Sequence, residues 1–401
     1  MLRYKLLASH YLSSMTNRIQ NALRGYVDGT DKSFNARFFR NIALLLALPY
    51  SCVVSLRNRL FDLGWLKTDR LEAVVISVGN ITLGGVGKTP FVAWLTRRCL
   101  ESGHSPGIIS RGYKGKKQQK LSTFKKTTDP LINISNAMND EARELKIRFP
   151  NVPHFLGSKR VVVARELLKR CPNVDAIILD DAFQHRRLER DLNIVLLDAL
   201  NPFGGSRIVP AGYLRESMTS LKRANVVVLS RADLIPNEER NVIRQIATRY
   251  APNALWCEIT QRPSQVFYYD ASLNLKREYV LRATDYETWL QQNANTNFFA
   301  FCGLGAPSGF QKSLENQRLS LTAFETFPDH CSYNDKDFEF LTQKAAQTKA
   351  NAFITTMKDF VKLEKLARIS SLPIFAIQIE VEFISGEEQF DLTLQKLFRD
   401  Q

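Results

Sequence analysis

A glycine-rich segment that ends in a lysine and a threonine carries the clearest chemical signal in this chain. It follows the β-branched run 74–78 and precedes apolar residues at helical spacing. Glycines let backbone N–H groups point at a polyphosphate, a helix N-terminus adds a positive dipole, lysine reaches the outer phosphates and a threonine hydroxyl suits Mg²⁺. The spacing predicts a nucleotide-binding loop between a strand and a helix. Its candidate residues are Thr82, Gly84, Gly85, Val86, Gly87, Lys88 and Thr89.

This loop is one residue short of the strict phosphate-binding pattern. G-x-x-x-x-G-K-[ST] requires glycine at position 82, where this chain has Thr82. An apolar strand before the loop and the apolar residues Phe91, Val92, Trp94 and Leu95 after it supply the context that the motif needs. The alternative is an ordinary glycine-rich turn between a strand and a helix.

Two adjacent carboxylates form a candidate metal site. Asp180 and Asp181 follow the apolar residues 176–179, a pattern typical of a buried parallel strand that ends at the ligand-binding edge of an open α/β sheet. Beside a phosphate-binding loop, such an aspartate holds Mg²⁺ directly or through water. We expect Thr89, Asp180 and Asp181 to form a Mg²⁺ site; a solvated turn is the alternative.

A pair of glycines precedes an arginine in a third segment. Gly204 and Gly205 would let the backbone bring Arg207 close to a phosphate, and the planar guanidinium suits that contact. We therefore expect Arg207 to contact phosphate; an ordinary surface loop is the alternative.

The composition indicates a large, basic globular protein. The chain has 401 residues, with 55 Lys and Arg against 40 Asp and Glu, and a formal net charge of +15. This charge predicts an anionic partner, which is a nucleotide, a nucleic acid or an anionic membrane surface. The 6 cysteines are scattered without zinc-site spacing, which favours a reducing compartment. The chain has no H-E-x-x-H pattern, which argues against zinc proteolysis.

The apolar runs predict four segments and an α/β fold. A basic extension with a membrane-interface helix covers 1–70, and a phosphate-loop nucleotide-binding domain covers 71–260. Linking strands cover 261–297, and a smaller α/β domain that closes over the active-site cleft covers 298–401. The expected fold is a P-loop NTPase-type, mostly parallel sheet with a smaller C-terminal α/β domain and an N-terminal amphipathic helical region.

Phe38, Phe39 and the residues 42–54 make an apolar run with arginines near both ends. It is interrupted by a proline and covers about fifteen residues, fewer than the roughly twenty of a transmembrane helix. Arg37 and Arg40 before it and Arg57 and Arg59 after it favour a helix that lies in an anionic membrane interface. A core helix packed on the nucleotide-binding domain is the alternative.

Three classes of phosphate-loop protein compete. A partitioning ATPase has lysine directly before the paired glycines, where this chain has Leu83. A GTPase needs a guanine-reading Asn-Lys-x-Asp motif after a later strand, which the segment Ser230–Asp233 resembles only loosely. A small-molecule kinase needs a phosphate loop, a Mg²⁺ acid, an acceptor site in a second domain and a base, and this chain can supply all four. A membrane-associated regulatory nucleotide switch without kinase activity stays open, and charge alone supports a nucleic-acid-dependent ATPase.

Seven motifs in one order resemble the tetraacyldisaccharide 4′-kinases, the lipid A 4′-kinase family. The resemblance covers about residues 38–380, and seven ordered motifs are far more specific than any one of them. They are Val78–Pro90, Ser110–Tyr113, Asn139–Ala142, Asp180–His185, Pro202–Glu216, Phe327–His330 and Thr355–Asp359.

The resemblance implies an ATP- and Mg²⁺-dependent kinase. Its substrate would be an acylated glucosamine disaccharide 1-phosphate, phosphorylated on the 4′-hydroxyl to form lipid IVA in lipopolysaccharide biosynthesis. Lys88 and Thr89 would bind the phosphates, as expected from the loop itself. The resemblance also makes Asp140 the base for the hydroxyl, His330 its assistant and Arg207 a phosphate contact.

The resemblance also implies where the protein acts. We expect it at the cytoplasmic face of the bacterial inner membrane, as a peripheral or monotopic protein on the anionic surface. We expect a monomer without a nucleic-acid partner. The chain departs from the family pattern at Asn139 and Ala182, where glycine is usual, at Tyr213, where proline is usual, and at Met357, where glutamate is usual.

Overall fold

The computed structural model describes residues 33–112, 139–270, 280–305, 307–329, 331–363, 370 and 372–399. It confirms the predicted fold class, a mostly parallel α/β sheet with an N-terminal helical region. Expectations for 1–32, for Tyr113 and for His330 lie outside the described residues. The chain divides into two compact units: the phosphate-loop unit contains Ala22–Gln261 with Val381–Gln401, and the second unit contains Arg262–Glu380.

The phosphate-loop unit is built on a parallel sheet. Its strands are β1 (Val74–Asn80), β2 (Pro106–Ser110), β3 (His154–Leu156), β4 (Ala176–Asp180), β5 (Leu192–Asp198), β6 (Val226–Ser230) and the first part of β7 (Leu255–Asp270). They are neighbours in the order β7, β6, β5, β1, β4, β2, β3. The helices are α1 (Phe34–Asp62), α2 (Lys88–Glu101), α3 (Asp140–Arg148), α4 (Arg160–Arg170) and α5 (Asn237–Tyr250). Short 3₁₀ helices cover Gly204–Ser206, Met218–Arg223 and Ala232–Leu234.

Strand β1 is buried on both faces, which explains its continuous apolar sequence. Ile76 shares an apolar cluster with Phe91 of α2, and Val75 shares another with Val163 of α4. A parallel sheet with helices on both faces needs apolar side chains at every strand position. The carboxyl ends of β1 and β4 therefore meet at one edge, where open α/β sheets bind their ligands.

Helix α1 is longer than the predicted apolar run and is exposed. It has 29 residues and continues through Pro49. Because Pro49 has no N–H group, it cannot donate a hydrogen bond to the carbonyl of Leu45. Leu45 is exposed, so water can replace the missing hydrogen bond. By length and composition Arg37–Asp62 can cross a membrane, and 6% of its apolar window is buried.

The second unit also consists of strands and helices. Its strands are the rest of β7, β8 (Val280–Asp285), β9 (Asn297–Cys302), β10 (Ser320–Thr326), β11 (Ala352–Thr356) and the first part of β12 (Ile374–Ser385). Strands β10, β9, β11 and β12 are parallel neighbours in that order, and β8 is antiparallel to β7. The helices are α6 (Tyr286–Gln292), α7 (Pro307–Asn316), α8 (Asp335–Gln347) and α9 (Met357–Phe360).

The division of the chain differs from the predicted boundaries in two places. The predicted linker 261–297 contains β8 and α6, and Trp289 of α6 is buried in the core of the second unit. Residues from Val381 onward, predicted to belong to the smaller domain, belong to the phosphate-loop unit. The reason is α10 (Glu387–Arg399), which places Phe390 in the apolar cluster that contains α2.

Candidate active site

The loop 82–89 joins β1 to α2 and depends on its last glycine. Gly87 is the N-cap of α2, with a left-handed φ of 82°. A Cβ at this position would lie 2.2 Å from Gln261 Nε2 and 2.9 Å from Ser230 Oγ, so only glycine fits without displacing its neighbours. Lys88 begins the helix, which places its amino group and the first N–H groups of α2 where an anion binds.

Thr82 replaces the first glycine of the strict motif without backbone strain. It is not among the residues with a positive φ. It pairs with Leu214 in an antiparallel bridge, and its carbonyl accepts a hydrogen bond of 2.7 Å from Asn80 Nδ2. A residue in this conformation does not require glycine, so the departure leaves the loop intact.

The Lys88 amino group is held by two partners. It donates to Asn80 Oδ1 at 3.2 Å and lies 3.4 Å from Asp181 Oδ1. The Asn80 carbonyl accepts from Gln184 Nε2 at 2.9 Å, which joins the loop to the segment after β4. Sequence reasoning missed Asn80 and Gln184; the available signal was a polar residue at the end of an apolar strand directly before a phosphate loop.

Asp181 is an ionised carboxylate between two cations. Its backbone has φ 51°, a region that aspartate tolerates better than most residues. Arg215 Nη1 donates to its two carboxylate oxygens at 2.9 and 3.1 Å. Burial opposes ionisation, but Lys88 and Arg215 outweigh it and lower the pKa of Asp181. Arg215, which sequence reasoning did not select, is therefore part of this site.

Asp180 is more deeply buried than Asp181, and its negative charge is less stabilised than that of Asp181. Strand pairing sets it beside Val78 of β1, and Ser110 Oγ donates to its Oδ2 at 3.2 Å. Ser110 also contacts His154 Nε2 at 2.9 Å. Burial raises the pKa of Asp180, and the carboxylates of Glu141 and Asp181 raise it further.

Asp140 lies in the first turn of α3. Asn139 is the N-cap and accepts from the Ala142 N–H at 3.1 Å. The carboxylate of the next residue, Glu141, lies close enough to Asp180 to raise the pKa of Asp180. The structure thus brings the helix of Asp140 to the same edge as Lys88.

The loop that carries Arg207 packs against the phosphate loop. The Leu83 N–H donates to the Tyr213 carbonyl at 2.7 Å, and the Leu214 N–H donates to the Arg207 carbonyl at 2.9 Å. The Tyr213 N–H donates to the Gly204 carbonyl at 3.0 Å, a bond that the usual proline cannot make. Arg207 itself is exposed.

Two other departures from the family pattern are accommodated locally. Ala182 is buried and is not among the residues with a positive φ; the left-handed residue of this turn is Asp181. Met357 is the buried first residue of α9 in the second unit.

The second unit has a polar cluster at the carboxyl ends of β9 and β11. Asp359 is fully buried and accepts from the Gly303 N–H at 2.9 Å. Lys358 Nζ lies 2.8 Å from Asp329 Oδ1 and thereby anchors the turn directly before His330 in the sequence. His330 lies outside the described residues.

The paired aspartates fit a magnesium ion that also binds phosphate. Within the described ranges, no group of three or more His, Cys, Asp and Glu side chains could hold a metal ion. Mg²⁺ sites of this kind use one or two carboxylates with phosphate oxygens and water. Here Asp180, Asp181 and Thr89 offer only oxygen ligands, and the carboxylates that raise the pKa of Asp180 make a cation favourable.

Comparisons with known proteins agree across nearly the whole chain. Residues 40–399 match the model of the family described as tetraacyldisaccharide-1-P 4′-kinase. The tetraacyldisaccharide 4′-kinase of Halothermothrix orenii is 34% identical over 356 residues, 88% of this chain and 91% of the relative. That of Syntrophus aciditrophicus is 33% identical and covers 89% of this chain and 94% of the relative.

A solved structure agrees with this result. The crystal structure of LpxK from Aquifex aeolicus, described as an "apo" form in complex with ATP, has 27% identity and a TM-score of 0.66 to this chain. The match covers 90% of this chain and 99% of that one. With its phosphate loop, paired aspartates and matching relatives, the chain belongs to the tetraacyldisaccharide-1-P 4′-kinase family.

Proposed function

We propose that this chain transfers the γ-phosphoryl group of ATP to the 4′-hydroxyl of a tetraacylated glucosamine disaccharide 1-phosphate and so forms lipid IVA. The family and the named relatives support this reaction. The structural observation that carries it is the position of Lys88, 3.4 Å from Asp181 at the N-terminus of α2. A phosphate loop alone also fits a regulatory switch, but the relatives are kinases.

The donor half of the site binds and neutralises the phosphates. Phosphoryl transfer is accelerated mainly by positioning and by stabilisation of charge on the transferred group. The loop N–H groups and Lys88 would hold the outer phosphates, with Asn80 and Asp181 fixing the amino group. Mg²⁺ held by Thr89, Asp180 and Asp181 would neutralise negative charge on the phosphate oxygens. Arg207, exposed at the edge of the loop, would supply a further positive charge.

The acceptor half centres on Asp140. We assign it as the base that takes the proton of the 4′-hydroxyl, since the family resemblance gives it this role and the neighbouring Glu141 lies near Asp180. The family resemblance assigns His330 to assist this base.

The exposed helix α1 supports contact with a membrane. An apolar helix with arginines near both ends suits the interface of an anionic bilayer, and the proposed substrate is itself a lipid. We propose that the protein works at the cytoplasmic face of the inner membrane, as a peripheral or monotopic monomer. Its net charge of +15 is then explained by nucleotide and lipid, without a nucleic-acid partner.

A transfer assay tests this function. ATP labelled on the γ-phosphate is incubated with the acylated disaccharide 1-phosphate in detergent micelles, and labelled lipid and free phosphate are measured separately. We expect label in the lipid, and Lys88→Ala should lower turnover about 10²- to 10³-fold through lost charge stabilisation. Lys312→Ala, an exposed lysine on α7, is the matched control. Label released only to water would contradict kinase activity, and wild-type turnover in Lys88→Ala would contradict the loop assignment.

A further inference from the structure

Residues 215 and 216 form a junction that reaches the phosphate site on one side. The Arg215 N–H donates to the Ile81 carbonyl at 2.7 Å, just before the phosphate loop. The Arg215 side chain holds the Asp181 carboxylate, which lies 3.4 Å from Lys88 Nζ. A displacement of Arg215 therefore acts on the loop entrance and on the partner of its lysine.

The other side of this junction is held by α1. Glu216 is 1% exposed, and its carboxylate accepts from Asn58 Nδ2 at 2.9 Å and lies 3.4 Å from Arg57 Nη2. Arg223 Nη2 supplies a third donor at 2.8 Å. Tyr50 Oη donates to the Arg215 carbonyl at 3.1 Å. A buried carboxylate keeps its charge only with such donors, so the position of Glu216 depends on the position of α1.

Helix α1 touches the phosphate-loop unit along a narrow stripe. Its half-buried or buried positions include Ala43, Ala47, Ser51 and Val54, which follow helical spacing, while most of its large apolar side chains are exposed. Few apolar contacts hold such a helix, so its docked position has little stability of its own. A bilayer that takes up the exposed face would order the helix along its length.

We propose that α1 and the nucleotide site are coupled through Arg215 and Glu216, so that an anionic bilayer bound to α1 strengthens nucleotide binding. Asn58, Arg57 and Tyr50 are the positioning residues of this link. The inference rests on the membrane contact proposed above and adds that this contact acts on the phosphate loop. Because coupling is reciprocal, nucleotide must strengthen bilayer binding by the same factor.

Two binding measurements test the link without measuring turnover. A fluorescent, non-hydrolysable ATP analogue is titrated into the full chain with and without vesicles of equal parts phosphatidylcholine and phosphatidylglycerol. Vesicle co-sedimentation is measured with and without the analogue. We expect both affinities of the wild type to rise by about 5-fold or more, the lower end of typical coupling between sites.

Variants on one helix locate the link. Asn58→Leu should abolish both increases in affinity while nucleotide and vesicles each still bind alone. Tyr50→Phe, which removes one hydroxyl, should reduce both increases. It replaces Asn58→Leu in the test if that variant does not fold. Asp62→Asn is the matched control, because Asp62 anchors the same helix through Arg186 at 2.6 Å and Lys222 at 2.8 Å rather than through residue 215 or 216. It should keep both shifts.

The outcomes separate the coupling from the membrane contact. Vesicle binding with unchanged nucleotide affinity in the wild type would overturn the coupling and leave the membrane contact standing. A chain that does not bind vesicles would overturn both. Shifts retained in full by Asn58→Leu and Tyr50→Phe, or lost in Asp62→Asn, would refute the route through residues 215 and 216.

Discussion

One aromatic side chain of the C-terminal helix α10, Phe390, packs against the phosphate-loop helix α2. Phe390 is fully buried, and its ring centroid lies 5.3 Å from that of Trp94 and 6.0 Å from that of Phe91, both on α2. The ring of Phe383, at the end of β12, lies 5.9 Å away. The perturbation we consider is Phe390→Ala, which removes the ring and leaves the rest of the helix unchanged.

The expected loss follows from burial. Phe→Ala in a core costs about 3–5 kcal/mol, and the three aromatic pairs place this site in the upper part of that range, at about 4–5 kcal/mol. The neighbouring pair of Arg98 and Asp391 is partly exposed, at 34% and 22% of the side chains, and pairs of this kind contribute about 0.2–1 kcal/mol. The apolar contact should therefore dominate the docking of α10.

Urea unfolding followed by circular dichroism measures both terms. We expect Phe390→Ala to lower the free energy of unfolding by about 4 kcal/mol and Asp391→Asn by less than about 1 kcal/mol. Leu392→Ala is the control on the same helix, since Leu392 is 58% exposed and should change stability by about 0.5 kcal/mol at most. Hydrogen exchange should also speed up in α2 and α10. A Phe390→Ala loss no larger than that of Asp391→Asn would refute this account.

Two further predictions concern the loop and the buried histidine. Gly87→Ala should weaken nucleotide binding at least about 10-fold in a fluorescence titration, because the added Cβ would meet Gln261 and the φ of Gly87 is left-handed. Gly309→Ala is the control on α7, where an added Cβ meets open space, and it should leave nucleotide binding unchanged. Burial lowers the pKa of His154 to about 3, below the unfolded value of 6.5, so its contribution to stability is complete above pH 6.5 and is lost on acidification. The free energy of unfolding of the wild type should exceed that of His154→Gln by about 2 kcal/mol less at pH 5 than at pH 7 in urea titrations. Asp180 titrates with the opposite sign, but it is present in both proteins and cancels in this difference. A difference that does not change with pH would contradict the burial of a neutral imidazole.

Sequence patterns were enough to predict the parts of the site that lie within one strand–loop–helix segment. Lys88 at the start of α2 and Asp180 at the end of β4 were predictable, because glycines and apolar runs fix local conformation over a few residues. The fold class followed for the same reason, since runs buried on both faces predict parallel strands. Helix α1 continues through its interior proline, where Leu45 is exposed to water.

The distant residues that complete the site could be identified only from the folded structure. Arg215 meets Asp181 across 34 positions, and Glu216 meets Asn58 across 158, since packing of loops at the sheet edge, not sequence spacing, sets these contacts. The C-terminal helix belongs to the phosphate-loop unit because Phe390 packs against aromatic side chains of α2. Local patterns determine which groups can bind phosphate; long-range packing determines how those groups are held and charged.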